Sequence, residues 1–392
     1  MGALRVPGWV WPRSLGRLDV GAGLRAGICV LLPLLALLLA GAPHLSACIA
    51  FAAFTALYGR SEAYRSRWVT VCTAGASFLV VIAAAMLIAL LGGSAVATVI
   101  GLILVSALGV VLSTVMGWVP FGSVFFVFAF AVISSIQLGA GEFWPRYALS
   151  AGTVVFCVLV ALLGWLPRRI RGAHRRHLQR LRKVARTPAA LRDPVVWLHA
   201  GETALGVVTA LLIAAGLGLS HSYWAAVAVA ACMPRPHAPR QVTRIAHRVL
   251  GTAVGVVVTG LVLLLEPSIW LTIVIAAVCQ VLAELFVGQV YWFALLFITP
   301  LALLVGQLSA PAPVSLILTH RVLDTTIGGA VALVLVLAGT GAAVTWRESR
   351  RRDDDGAAAR ARTPCDGPAA TALRTVRRRR RSIRCPRRSR GR

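Results

Sequence analysis

The sequence predicts an all-α polytopic membrane protein of about twelve transmembrane helices, arranged as two six-helix halves. Three observations predict it. The 392-residue chain is 58% hydrophobic, with a mean hydropathy of +0.81, and a soluble domain of that size has too little interior for so much apolar side chain. The apolar residues fall in about twelve runs, many near the length a membrane helix needs. The two sets of runs share a layout at an offset of roughly 175 residues, which points to an internal duplication.

Residues 1–24 form a basic N-terminal stretch. The first half, 25–166, holds runs at 25–41, 44–58, 68–91, 95–115, 118–137 and 147–166. Residues 28–42 resemble a signal-peptide core. The polar region before them is long, however, and they have a counterpart at 197–219, so they are read as a membrane helix. A basic linker, 167–196, follows, in which Ile170, Leu178 and Leu181 mark the apolar face of a surface helix. The second half, 197–346, holds runs at 197–219, 222–233, 241–265, 268–286, 289–308 and 321–346. In each half an Ala-Gly opens the first helix, a tight turn carries His44 or His221, and a short helix comes next. Residues 347–392 include "RRDDDG" and "RRRRRSIRCPRRSRGR", too polar to build a core, and are expected to be disordered in the cytoplasm.

Arginine sets the topology. Basic residues cluster at 5–25, 60–67, 168–192, 235–248 and from 347 onward. With the N-terminus inside, every cluster falls on the cytoplasmic side. The expected location is therefore the cell (inner or plasma) membrane, multi-pass, with both termini cytoplasmic and the lipid bilayer as the first partner. The net charge of +27 does not point to nucleic acid, because it sits in loops and the tail rather than in a folded basic domain. Among the eight cysteines there is no CxxC, so no metal site or disulfide framework is expected. Walker-type, HExxH and GxSxG motifs are absent. The chain reads as a non-enzyme without a cofactor.

Polar residues inside apolar runs carry the functional signal. "HRVLGTAVG" at 247–255 and "HRVLDTTIG" at 320–328 agree at six of nine positions, 73 residues apart. On a helix Arg248 and Thr252 share one face, as do Arg321, Asp324 and Thr325. Such residues avoid lipid and face protein or a wet path. The two runs point in opposite directions, which fits an inverted repeat with one half-site at each mouth of a path. An Arg321–Asp324 ion pair is expected from the i,i+3 spacing. Asp324, Glu284 and Glu202 are the acids placed to take up a proton. The short second and eighth helices, with Tyr58, Tyr223 and Trp224, point to a substrate path.

The run "HSYWAAVAVAACMPRP", then "RQVTRIAHRVLGTAVG", "YWFALLFITPLALL" and "HRVLDTTIGGAVAL" resembles the fusaric acid resistance protein-like (FUSC) family of aromatic acid exporters. The resemblance is specific over roughly 197–340 and covers only layout before that. It implies proton-driven export of small, often aromatic, carboxylic acids, with a small organic anion as partner and a homodimer as a candidate assembly. It places basic roles on Arg248 and Arg321 and an acidic one on Asp324. Two alternatives stand beside it. A major-facilitator-like carrier also has two six-helix halves, but the loop "GRSEAYRSR" does not match that superfamily's G-x-x-x-D-x-x-G-[RK]. A non-transporting scaffold of the cell envelope is the other.

Overall fold

The computed structural model describes residues 17–163, 181–233 and 241–362. All the regular structure described is helical. Twelve α-helices occur among these residues: α1 (Arg17–Leu39), α2 (Ser46–Ala53), α3 (Tyr64–Leu90), α4 (Ala95–Met116), α5 (Val124–Ser134), α6 (Phe143–Leu162), α7 (Pro194–Gly216), α8 (Tyr223–Cys232), α9 (Gln241–Leu264), α10 (Ile269–Phe286), α11 (Tyr291–Ser309) and α12 (Val314–Arg362). Each expected apolar run is matched by one of them. Nine are long and apolar enough to cross a membrane, while α2, α5 and α8 are shorter. The protein is a multi-pass membrane protein.

The chain divides into a unit ending at Val336 and a second unit from Leu337. In the second unit the described residues continue α12 as far as Arg362. Sixteen residues expected to be irregular are thus helical. Ala and Arg are strong helix formers. Residues 363–392, and the part of the linker holding Ile170 and Leu178, lie outside the described residues.

The first unit shows the duplication as a pattern of neighbours. Helix α1 packs on α10, and the equivalent α7 packs on α4. Helix α2 meets α11 as α8 meets α5, and α3 meets α5 as α9 meets α11. The two halves are therefore interlocked rather than side by side. At the centre lie the short helices. Every residue of α2 is buried, as is every residue of α8 after Tyr223. At 1.5 Å per residue, α8 spans roughly 15 Å, about half a bilayer core. Small side chains make this burial feasible, since Ala225, Ala226, Ala228, Ala230 and Ala231 let neighbours approach closely.

Two glycines on α9 and α12 are fitted to that close approach. A side chain at Gly328 would run into the carbonyl of Ala225 and the side chain of Ala228 on α8, and one at Gly255 would meet Leu295 O and Thr299 at 2.8 Å on α11. Gly328→Val should therefore lower the melting temperature in detergent, by an overpacking cost of about 1–3 kcal/mol. Gly152→Val on α6, where a side chain meets nothing within 4 Å, should change it little. Equal melting of the two variants would contradict this packing.

The last part of the linker is tied to one end of the bundle. Arg182 N donates to Ser61 O at 2.7 Å, and its guanidinium reaches Gly117 O and, at 3.5 Å, the buried carboxylate of Glu62. Thr187 N donates to Val115 O. Asp193 then caps α7, accepting from Val195 N at 2.9 Å. This end carries the 58–63, 117–123 and 287–290 connections and is called the linker end. The opposite, hairpin end carries the 40–45, 135–142, 217–222 and 310–313 connections.

Candidate anion-binding site

A cavity of about 620 Å³ opens between the halves at the linker end and runs inward to Arg321. Helix α9 enters from this end, so Arg244 and Arg248 lie near its mouth. Helix α12 enters from the other end. Arg321 is seven residues along it, about 10 Å deep, and its guanidinium lines the inner part of the same cavity. The two copies of the motif therefore converge on one chamber. This corrects the expectation of one half-site at each mouth. Opposite helix directions were read correctly, but depth along each helix brings the two cations to one space.

The guanidiniums are poorly satisfied. Arg321 is 1% exposed and lies over the Trp224 ring, 3.6 Å from its centroid. Its Nε and Nη1 have no hydrogen-bond partner. Arg248 is 4% exposed, and its Nη1 donates to Tyr291 Oη at 3.4 Å while Nε is unpartnered. Arg244 differs: its Nε donates to Ala231 O at 2.7 Å, and its cation sits over the Tyr291 ring. A buried donor left without an acceptor costs about 1–3 kcal/mol, more when charged. Two such arginines line one cavity with donors that an anion could fill.

Asp324 is fully buried, and neither carboxylate oxygen has a hydrogen-bond partner. The expected Arg321–Asp324 ion pair is not formed. Spacing along a helix makes the two neighbours, but the face of Trp224 takes the guanidinium instead. Thr252 and Thr325 are buried with unpartnered hydroxyls, as is Thr299. Glu284 lines the cavity, and Arg60 Nη1 donates to its carbonyl at 2.7 Å and approaches its carboxylate at 3.5 Å. Glu202 lines neither cavity described here. It is a third exposed and lies 3.8 Å from His199 on its own helix.

An aromatic wall faces the cations. Phe51, Phe54, Phe125 and Phe128 line the cavity with Trp224. Phe128 stands 4.7 Å from Trp224 and 4.8 Å from Phe51, and Phe54 lies 5.0 Å from Phe125, all tilted or edge-on. Tyr58 is instead a core residue, packed on Phe78, Trp118 and Phe126. Tyr223 lines a second cavity at the hairpin end, which Trp224 also borders. No cluster of three or more metal-ligating side chains occurs among the described residues.

Four arginines are buried among the described residues, one on each of α3, α6, α9 and α12: Arg67, Arg146, Arg248 and Arg321. Residues 208–335 match the family described as fusaric acid resistance protein-like. No curated protein and no solved structure matches the chain significantly. The fusaric acid resistance-like region supplies Trp224, Arg244, Arg248, Glu284, Tyr291 and Arg321, whereas the part before it supplies Arg60 and the four phenylalanines. The chamber of the matched region is thus completed by the first half. The phenylalanines escaped the sequence reading because an aromatic residue in an apolar run looks like ordinary core. Arg146 was readable, since it lies 175 residues before Arg321, the offset of the two halves.

Proposed function

We propose that this chain exports small organic anions, aromatic carboxylates first among them, across the inner membrane and couples that export to protons. The linker end faces the cytoplasm in this reading, because Arg60, Arg182, Lys183 and Arg244 collect there. The observation that carries the proposal is the pairing of two buried, under-satisfied guanidiniums with an aromatic wall in one chamber. A carboxylate would accept charge-assisted hydrogen bonds from Arg248 and Arg321, replacing the acceptors they lack. Its ring would lie edge-on to Phe54, Phe125 and Phe128. Trp224, with Phe128 against it, lines this chamber and also borders the hairpin-end cavity.

Asp324 would be the proton carrier. An ionised carboxylate without a partner is costly to bury, so a proton there is favoured while Arg321 is engaged elsewhere. Movement of Arg321 off Trp224 and onto Asp324 would stabilise the ionised form and so release the proton. Two residues supposed to take up protons do not share this setting. Glu284 faces Arg60, and Glu202 lies away from the chamber.

The test is reconstituted flux. Proteoliposomes holding the chain and an imposed pH gradient should move benzoate against its own gradient, saturably, and collapse of the gradient should stop accumulation. Benzoate flux no faster than in empty liposomes would sink the proposal.

A further inference from the structure

Arg146 of α6 holds the place in the first half that Arg321 of α12 holds in the second. It is 5% exposed and its Nε has no partner. Its Nη2 donates at 2.8 Å to Glu142, whose side chain is about half exposed at 48%. The Cys48 thiol lies against the same guanidinium. Arg146 holds the Glu142 carboxyl below the usual carboxylate range, so the two form a working ion pair, but one with unequal partners. The cation is fixed in the protein, while the anion can turn into water at little cost.

This guanidinium lines the hairpin-end cavity of about 470 Å³, together with His44, His221, Tyr223 and Trp224. Ser220 Oγ lies 3.0 Å from His221 Nδ1 and 2.9 Å from His320 Nδ1, which ties the α7–α8 turn to α12. Several other polar groups there are already engaged: the Gln307 amide holds Ala312, and the Ser309 and Ser135 hydroxyls cap their own helices. Arg146 is the cation left with an unfilled donor and a replaceable counter-ion. Trp224 borders both cavities, so an anion leaving Arg321 past that ring next meets the chamber of Arg146.

We propose that the hairpin-end cavity is a second anion-binding site, where Arg146 takes the carboxylate of a small organic acid in place of Glu142. His44 and His221 flank the charge, and Tyr223 and Trp224 offer the apolar surface. The choice of ligand rests on the transport reading, but the site does not depend on the direction of transport. Two sites in file, one on each side of Trp224, let the path hold an anion during passage without a deep well at either end.

Titration calorimetry of the full chain in detergent with benzoate tests this. The wild type should show two sites. Arg146→Gln should weaken one by about tenfold or more, the worth of a charge-assisted hydrogen bond, and spare the other, which Arg321→Gln should remove. Glu142→Gln, which frees Arg146 of its resident counter-ion, should tighten the Arg146 site severalfold. A single site that is lost in Arg321→Gln and untouched by Arg146→Gln and Glu142→Gln overturns the second site and leaves the transport reading standing. No benzoate binding to any form also overturns it, and the liposome flux then judges the transport reading separately. Should Arg146→Gln fail to fold, Glu142→Gln decides, an unchanged isotherm counting against the site.

Discussion

Arg321→Ala should abolish organic-anion export in proteoliposomes, and Arg321→Lys should restore little of it. The alanine change removes a cation from a place where only 1% of the residue is exposed. It also removes the stack on Trp224, worth about 2 kcal/mol when desolvated. The lysine change is the sharper test, because it keeps the charge. A guanidinium can lie flat on an indole while its edge offers donors to a carboxylate, and an ammonium offers one compact point instead. Each charge-assisted hydrogen bond is worth about 1.5–3 kcal/mol, so loss of the fork should cost on the order of tenfold to a hundredfold in affinity. Melting curves must accompany the flux, since a misfolded variant would give the same loss. A folded Arg321→Lys that exports at the wild-type rate would show that charge alone suffices and that the stack on Trp224 is incidental.

Asp324→Asn should separate binding from coupling. The amide keeps the size of the carboxyl and removes the titrating proton. Benzoate binding should persist, whereas accumulation against a gradient should disappear, leaving only downhill flux. Stability should hold or rise, because the asparagine never carries an uncompensated charge; a buried charge stripped of its partner typically costs about 3–5 kcal/mol. Asp324→Glu keeps the chemistry but must find room for one more methylene in a site with no free surface, and should lose stability instead. Uphill transport by Asp324→Asn at the normal rate would remove Asp324 from the coupling mechanism.

The helices were legible in the sequence because each is an apolar run bounded by charged or turn residues. The motif at Arg248 and Arg321 was legible for the same reason, as polar residues stand out in such runs. What periodicity cannot supply is depth and competition. Helix direction alone put Arg321 at the far mouth, yet its position on α12 and the shortness of α8 bring it into the chamber of Arg248. Spacing alone paired Arg321 with Asp324, although a ring on another helix claims the guanidinium. The start of the polar tail was read as irregular because net polarity was weighed over helix propensity. The run from Arg347 to Arg362 carries both and is helical in the structure.

The interlocked halves have a consequence for how the chain is made. Helix α1 finds its main neighbour in α10, with Gly23 and Gly27 set against Val281. Roughly 230 residues separate the two, on the order of 10–50 s of synthesis at usual rates. For that interval the small-residue face of α1 must be covered by lipid or by an insertion factor, and α4 waits likewise for α7. Neither half emerges from the ribosome as a finished object. A half expressed alone presents the surfaces that its missing twin would fill, and the only twin at hand is another copy of itself.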